Sequence, residues 1–466
     1  MESLRTDAAE CHLVSRSVPV PAPSFRAVLD SADAPRTVWS APDEASVVGS
    51  GAAATLTADG PERFDDIREA AQSLFASGDV HAGTEAARPR LFGGFAFHAD
   101  SADGTPWADF PGARFVFPRV QVTWTGSEDP DESAAGDGRA DTGAWLTVNA
   151  VGPDVSAADV ESRLATERER LTSLPAPGPV DGPPGVGDRR RTTALGDWRV
   201  GVETAVNRIR SGDLRKVVLA QALEVDLDGD LSIADVLSRL GERYPECYRF
   251  LVEPEPAEDS PQTSFFGATP ERLVSVRGRT VETDALAGTT GRGETPAEDE
   301  WLAQELARDE KNAHEHDLVA ETVEEQLAPF AASVSAGPRR VKRLATVQHL
   351  WTPITATLDS DEHVLSLAEA LHPTPAVGGL PPETALETIR EIEPFDRGWY
   401  AAPVGWIDAA GYGTFAVALR SAVAREETAT LFAGVGIVAD SDPDREWDEV
   451  QLKYRPILDE LEVDGE

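Results

Sequence analysis

Cysteine is nearly absent: Cys11 and Cys247 are the two in 466 residues. At most one disulfide could form, so a disulfide scaffold is excluded. A chain of this length can bury enough surface to need no such staple. No uncharged apolar run reaches the roughly 18 residues that suggest a membrane span. The start, MESLRTD, lacks the basic and then apolar layout of a secretory signal. The expectation is a soluble, cytoplasmic protein. Lysine is also scarce, with Lys216, Lys311, Lys342 and Lys453 the only four, so nearly all of the 42 basic residues are arginine. Against them stand 82 Asp and Glu, for a formal charge of −40. Such a surface repels phosphate backbones and anionic lipid, which makes nucleic acid and membrane poor partners. It also suits concentrated salt, where screening blunts like-charge repulsion, and a halophilic protein is expected. A chain this sparing with lysine is expected to need the few it keeps.

What is present is a large apolar fraction, 41%, arranged in short segments. Residues 114–125 (RFVFPRVQVTWT) read as a strand by their β-branched and aromatic content. Residues 126–143 contain almost nothing apolar and read as a solvated loop. Residues 157–174 have the spacing and charge density of a surface helix. The Pro/Gly-dense stretch 174–187 (LPAPGPVDGPPGVG) fits no regular element and is the best linker in the chain. It separates an N-terminal region, 1–190, from a second region, 195–462. In the second region a helix is expected over 198–211 and a buried strand over 216–223 (KVVLAQAL). Further strands are expected at 264–266, 273–276, 415–419 and 431–438, with helices over 295–327 and 446–461. Strands and helices intersperse without regular βαβ alternation, which favours an α+β fold.

Several segments could carry chemistry. Glu446, Glu449 and Lys453 recur at i, i+3 and i+7, so one helical face presents two carboxylates and an ammonium. That face could hold a divalent cation together with an anionic ligand. Asp440, Asp442 and Asp444 do not begin an EF-hand, because its glycine position is Arg445 and its final glutamate position is Gln451. Lys311 and Glu315 are four apart and can pair along a helix. His314 and His316, two apart on that helix, point to different faces and cannot share a zinc ion. The glycines at 288, 291 and 293 lack the GK[ST] ending of a P-loop, so a plain Gly-rich turn is the local reading. The rigid loop 371–379 (LHPTPAVGG) is suited to shaping a wall.

The order of these segments says more than any one of them. The succession GDLRKVVLAQ, FFGATPERL, ALAGT, EKNAHEH, QHLWTPI, LHPTPAVGG, RGWYAAPVGW, VALR, FAGVGIV and EWDEVQLK spans residues 195–460 and closely resembles the chorismate-utilising enzymes. That family includes isochorismate synthase, salicylate synthase, anthranilate synthase component I and aminodeoxychorismate synthase component I. The resemblance implies an α+β fold of two large packed antiparallel sheets flanked by helices. In it the variable region 1–190 completes the sandwich, and with the chorismate-binding region 195–462 it forms one structural domain.

The resemblance also implies roles. Lys216 corresponds to the general base that takes a proton from water attacking C2 of chorismate, and Glu271 to the acid that protonates the departing C4 hydroxyl. Glu315 and Glu449 match Mg²⁺-binding glutamates, with Glu446 nearby. Gly288 and Thr289 would meet the ring carboxylate, with Lys453 adding charge. Tyr400, Arg420 and the amides near Gly434 and Gly436 match the grip on the pyruvyl carboxylate, and His349 lies beside the ring. Anthranilate synthases usually carry Gln where Lys216 stands. Water rather than ammonia is therefore implied, with no glutamine amidotransferase subunit. Aminodeoxychorismate synthases usually carry Lys where Ala287 stands. The expectation is a Mg²⁺-dependent isochorismate synthase of menaquinone biosynthesis. A salicylate synthase and a catalytically silent chorismate-binding protein are the alternatives. The sequence departs from the family pattern at Gln221, where Arg is expected, at Thr290-Gly291-Arg292, and at Trp351, where smaller residues are common.

Overall fold

A computed structural model describes residues 12–76, 78–100, 104–126, 128, 143–258 and 260–463. The start of the chain with Cys11, and most of the acidic stretch 126–143, lie outside the described residues.

The strand expected over 114–125 is Ala113–Trp124, and it organises the sheets. It pairs along its length with Ser46–Ala58. Its first half also pairs with Arg90–Phe95, and its second half with Ala144–Gly152. The hydrogen-bonded network therefore divides into two layers. One runs from Ala144–Gly152 and Ala113–Trp124 through Ser46–Ala58, Arg36–Ser40, Tyr248–Glu253, Thr263–Thr269, Ser421–Arg425 and Thr428–Ile437 to Lys216–Leu227. The other runs from Arg90–Phe95 through Pro403–Asp408, Gly413–Val417, Arg272–Arg277 and Thr280–Gly291 to Val347–Leu358. Among the described residues every pairing is antiparallel except that of His12–Val20 with Gly78–His81. Large antiparallel sheets flanked by helices are the α+β architecture expected.

Aromatic side chains fill the space between the layers. The Trp107 ring lies 5.2 Å from Phe265 and 5.3 Å from Phe432. Trp399 packs against Phe265 in one layer and against Gly94 in the other, where a Cβ would come within 2.9 Å of its ring. Burial of such rings is the main source of stability in a core of this kind. One buried carboxylate ties the layers together. Glu44 accepts from the indoles of Trp39 and Trp406 and from the hydroxyl of Thr414.

Several expectations change in detail. The proposed helix over 295–327 is two, Pro296–Arg308 and Glu310–Leu327. Asp309 breaks it: with extended backbone, its carboxylate accepts from the Asn312 amide as a helix N-cap. The C-terminal helix begins at Pro443, one turn before 446, because Asp442 caps it and Pro443 occupies its first position. The Gly-rich segment is not a turn. It continues the strand Thr280–Gly291, whose register against Val347–Leu358 slips between Ala287 and Thr289. Gly288 takes φ +76° at that bulge, a conformation that glycine adopts without strain.

The linker 174–187 lies along the surface. Arg26 donates to the carbonyls of Gly178 and Pro179, and the Gly185 amide donates to Leu461. Strands before it pair with strands after it, as Arg36–Ser40 does with Tyr248–Glu253. No helix among the described residues is long and apolar enough to cross a membrane.

Candidate active site

The first eight residues of Lys216–Leu227 are all buried, because helices Leu195–Ser211 and Pro382–Ile392 pack against this strand. At its start Lys216, 1% exposed, opens into a cavity. Every site residue named from the resemblance lines that cavity: Lys216, Glu271, Gly288, Thr289, Glu315, His349, Tyr400, Arg420, Gly434, Gly436, Glu446, Glu449 and Lys453. They come from strands of both layers, from the connections that hold Glu271, Tyr400 and Arg420, from helix Glu310–Leu327 and from helix Pro443–Leu458.

Three glutamates meet three lysines here. Lys216 Nζ lies 2.8 Å from Glu315 Oε1, Lys453 Nζ lies 2.8 Å from Glu449, and Lys311 Nζ lies 3.8 Å from Glu446. The pairing of Lys311 with Glu315 along their helix is not formed. Glu315 turns inward to the buried Lys216, which needs a countercharge, and Lys311 reaches across to Glu446 instead. Burial alone would raise the Glu315 carboxyl, but the charge and hydrogen bond of Lys216 outweigh it and hold Glu315 below its usual range. Gly436 makes room for this pair: a Cβ there would stand 2.6 Å from Glu315 Oε1 and 3.0 Å from Lys216 Cε.

Glu271 has the opposite setting. It is 4% exposed. Burial and nearby Asp284 outweigh the lysines and push its carboxyl up to about 8. At neutral pH it holds its proton, which is the state a general acid needs.

The backbone of Gly434 and Gly436 also faces the cavity side of its strand. Ala220 N–H is taken by Glu393 and Val218 N–H by the Gly378 carbonyl. The pairs Ala220–Gly434 and Val218–Gly436 are therefore the non-hydrogen-bonded kind, and both glycines point their polar groups away from the Lys216 strand. Strand Ser421–Arg425 covers this edge only as far as Phe432. Beyond it, Lys453 donates to the Gly434 carbonyl at 2.9 Å.

His349 joins two further residues. Arg420, at φ +48°, lies 3.2 Å from His349 Nε2, and Thr289 Oγ1 lies 3.0 Å from Nδ1. Burial and the Arg420 charge hold the imidazole well below its usual range, so it is neutral. A guanidinium only donates, which assigns the ring proton to Nδ1 and leaves the Thr289 hydroxyl proton free for a ligand. Of the two adjacent histidines, His316 is buried and bonds Thr352, while His314 is exposed. They face apart, as their spacing requires.

The glutamates suit a hard divalent cation by their oxygen chemistry. Among the described residues no three His, Cys, Asp or Glu side chains group closely enough to hold a metal by themselves. Mg²⁺, however, characteristically takes one or two carboxylates and completes its shell with water and ligand oxygens. Glu315 and Glu449, with Glu446 nearby in the same cavity lining, fit that demand as two carboxylates completed by water and ligand oxygens.

The sequence reading missed Arg397. Its guanidinium, 1% exposed, pairs with Glu393 and donates to the carbonyls of Val377 and Val218. It thereby clamps the LHPTPAVGG loop, whose Ala376 and Val377 form a cavity wall, to the Lys216 strand. The RGWY block contained this arginine, but nothing local shows that its partners lie in two other segments. Arg397→Met would leave Glu393 buried without a countercharge. Such breaks cost about 3–5 kcal/mol, so a marked fall in thermal midpoint is expected. Unchanged melting would show that the clamp is dispensable.

A family model for "Chorismate binding enzyme" matches residues 2–462. The chain is 36% identical to an isochorismate synthase of Bacillus subtilis over 438 residues, covering 91% of this chain and 88% of that one. It is also 36% identical to a salicylate biosynthesis isochorismate synthase of Pseudomonas aeruginosa, covering 94% of this chain and 87% of that one. Among solved structures, the menaquinone-specific isochorismate synthase of Escherichia coli superposes with a TM-score of 0.77 at 26% identity, covering 97% of this chain and 95% of that one.

Proposed function

Because the chain belongs to the chorismate-binding enzyme family, we propose that it is a Mg²⁺-dependent isochorismate synthase acting on free chorismate, in menaquinone biosynthesis. Water adds at C2 and the C4 hydroxyl leaves as water, so the net reaction is an isomerisation without redox change. Lys216 takes the proton from the attacking water. Glu271 gives its proton to the C4 oxygen, since hydroxide is a poor leaving group. The observation that carries this reading is a lysine amine and a proton-holding carboxyl, both buried, in one cavity with the family's other motif residues.

The substrate carries two carboxylates into a site lined with glutamates. Thr289 and the Gly288 backbone meet the ring carboxylate, with Lys453 adding charge. Tyr400, Arg420 and the Gly434 and Gly436 amides hold the pyruvyl carboxylate, with His349 beside the ring. Glu315, Glu446 and Glu449 would hold Mg²⁺, which offsets the repulsion between these glutamates and the ring carboxylate when bound.

The test is product analysis of chorismate incubated with the protein in high KCl, the salt recommended by a charge of −40. Isochorismate as the only product, abolished by EDTA and restored by Mg²⁺, is the expected outcome. Salicylate with equimolar pyruvate would move the assignment to a salicylate synthase. Chorismate binding without turnover would make the protein a silent binder.

A further inference from the structure

Three of the four lysines line the cavity, while the fourth, Lys342, acts from outside it. Lys342 lies on strand Arg340–Arg343, opposite His349 of the neighbouring strand. Its Nζ donates to the Pro270 carbonyl at 3.2 Å and stands 5.9 Å from the centre of the Trp351 ring. Pro270 and Glu271 form the connection between strands Thr263–Thr269 and Arg272–Arg277, and both line the cavity.

We propose that Lys342 is a positioning residue for the acid Glu271, tying the carbonyl of the preceding residue to strand Arg340–Arg343 and so fixing the connection from which the carboxyl projects. The inference rests on the reading of Glu271 as the acid. The backbone of Glu271 is otherwise held by its carbonyl, which accepts from the Val417 amide at 3.0 Å, and by a long contact of its amide to Thr269 Oγ1 at 3.4 Å. Lys342 adds a charged donor on the other side of the Pro270–Glu271 peptide. An ammonium over an indole face is favourable, so Trp351 acts as its platform. This gives a use to a residue that departs from the family pattern. Lysine suits the place because its compact ammonium makes one directed contact, where the planar fork of arginine is larger.

The same ammonium acts on the carboxyl itself. Glu271 is faced by Lys216 from its strand, Asp284 from Thr280–Gly291, Lys453 from the C-terminal helix, Tyr400 from the segment before Pro403–Asp408, and Lys342. Burial and Asp284 favour the protonated acid, whereas the three lysines favour the carboxylate. Lys342 therefore weakens the hold on a proton that Glu271 has to give up.

The test compares Lys342→Met, which keeps the stem and removes the charge, with Lys342→Arg, which keeps the charge. Glu271 is titrated directly by ¹³C-carboxyl NMR in glutamate-labelled protein without substrate, its signal assigned by its absence in Glu271→Gln. In folded Lys342→Met the midpoint is expected higher by about half a pH unit or more, and in Lys342→Arg it should return toward wild type. With chorismate, Lys342→Met should lose about tenfold to a hundredfold in kcat, the scale of a misplaced catalytic group, move the alkaline limb of kcat upward, and leave KM within about twofold. An unmoved midpoint and limb in a folded Lys342→Met would overturn the proposal. A midpoint that moves in a protein whose wild type does not turn over chorismate would leave the tie between Lys342 and Glu271 standing and remove the functional reading instead.

Discussion

Lys216→Met lowers kcat by about a thousandfold or more, the scale of a lost general base, while chorismate still binds. The variant also strands a partner. Lys216 and Glu315 are 1% and 12% exposed, and removing one member of a buried pair costs about 3–5 kcal/mol because the other charge remains unpaired. Loss of turnover in Lys216→Met could therefore reflect a damaged fold. Lys216→Arg separates the two effects, because it keeps a positive charge beside Glu315 while a guanidinium does not deprotonate to act as a base. Its thermal midpoint is expected to recover most of the loss, but its turnover is not. A Lys216→Arg variant that regained activity along with stability would show that Lys216 is an ion-pair residue and not the base.

Glu271→Gln is expected to lose about 10²–10⁴ in kcat without misfolding, because glutamine has nearly the shape of the protonated acid. The pH behaviour follows from the same burial. With the carboxyl raised to about 8, wild-type kcat should hold through neutrality and fall above that pH as the proton is lost. Stability carries a matching signature. The unfolded chain ionises this group near its ordinary 4.5 and the folded chain only near 8. Wild type therefore loses stability relative to Glu271→Gln as pH climbs through that window, and the difference is flat on either side. A kcat profile that stays level well above pH 8, or a stability difference independent of pH, would contradict a protonated Glu271. Denaturant unfolding of both proteins at several pH values provides the second readout.

Much of the site was legible because its residues sit in short segments whose local form is set by near neighbours. The buried run after Lys216 reads as a strand. Glu446, Glu449 and Lys453 share a helical face by spacing, and all three line the cavity. The incompatible faces of His314 and His316 follow from the same 3.6-residue period. Where local reasoning went astray, a local signal had been undervalued. Asp309 caps a new helix inside the 295–327 stretch, and Asp442-Pro443 starts the last helix a turn early. The glycines after Ala287 suggested a turn, although one bulge lets Gly288 and Gly291 continue a strand.

Sequence by itself determined the elements, the identities of the cavity residues through ordered motifs, and the charge composition that makes four lysines conspicuous. Only the tertiary structure decided the partners. It chose Lys216 rather than Lys311 for Glu315, clamped Arg397 to carbonyls in two other segments, and carried Lys342 to the carbonyl before Glu271. The reason is physical. Helix and strand periods relate residues a few positions apart. A buried charge instead takes the nearest countercharge in space, and that neighbour depends on which strands and helices the fold sets side by side.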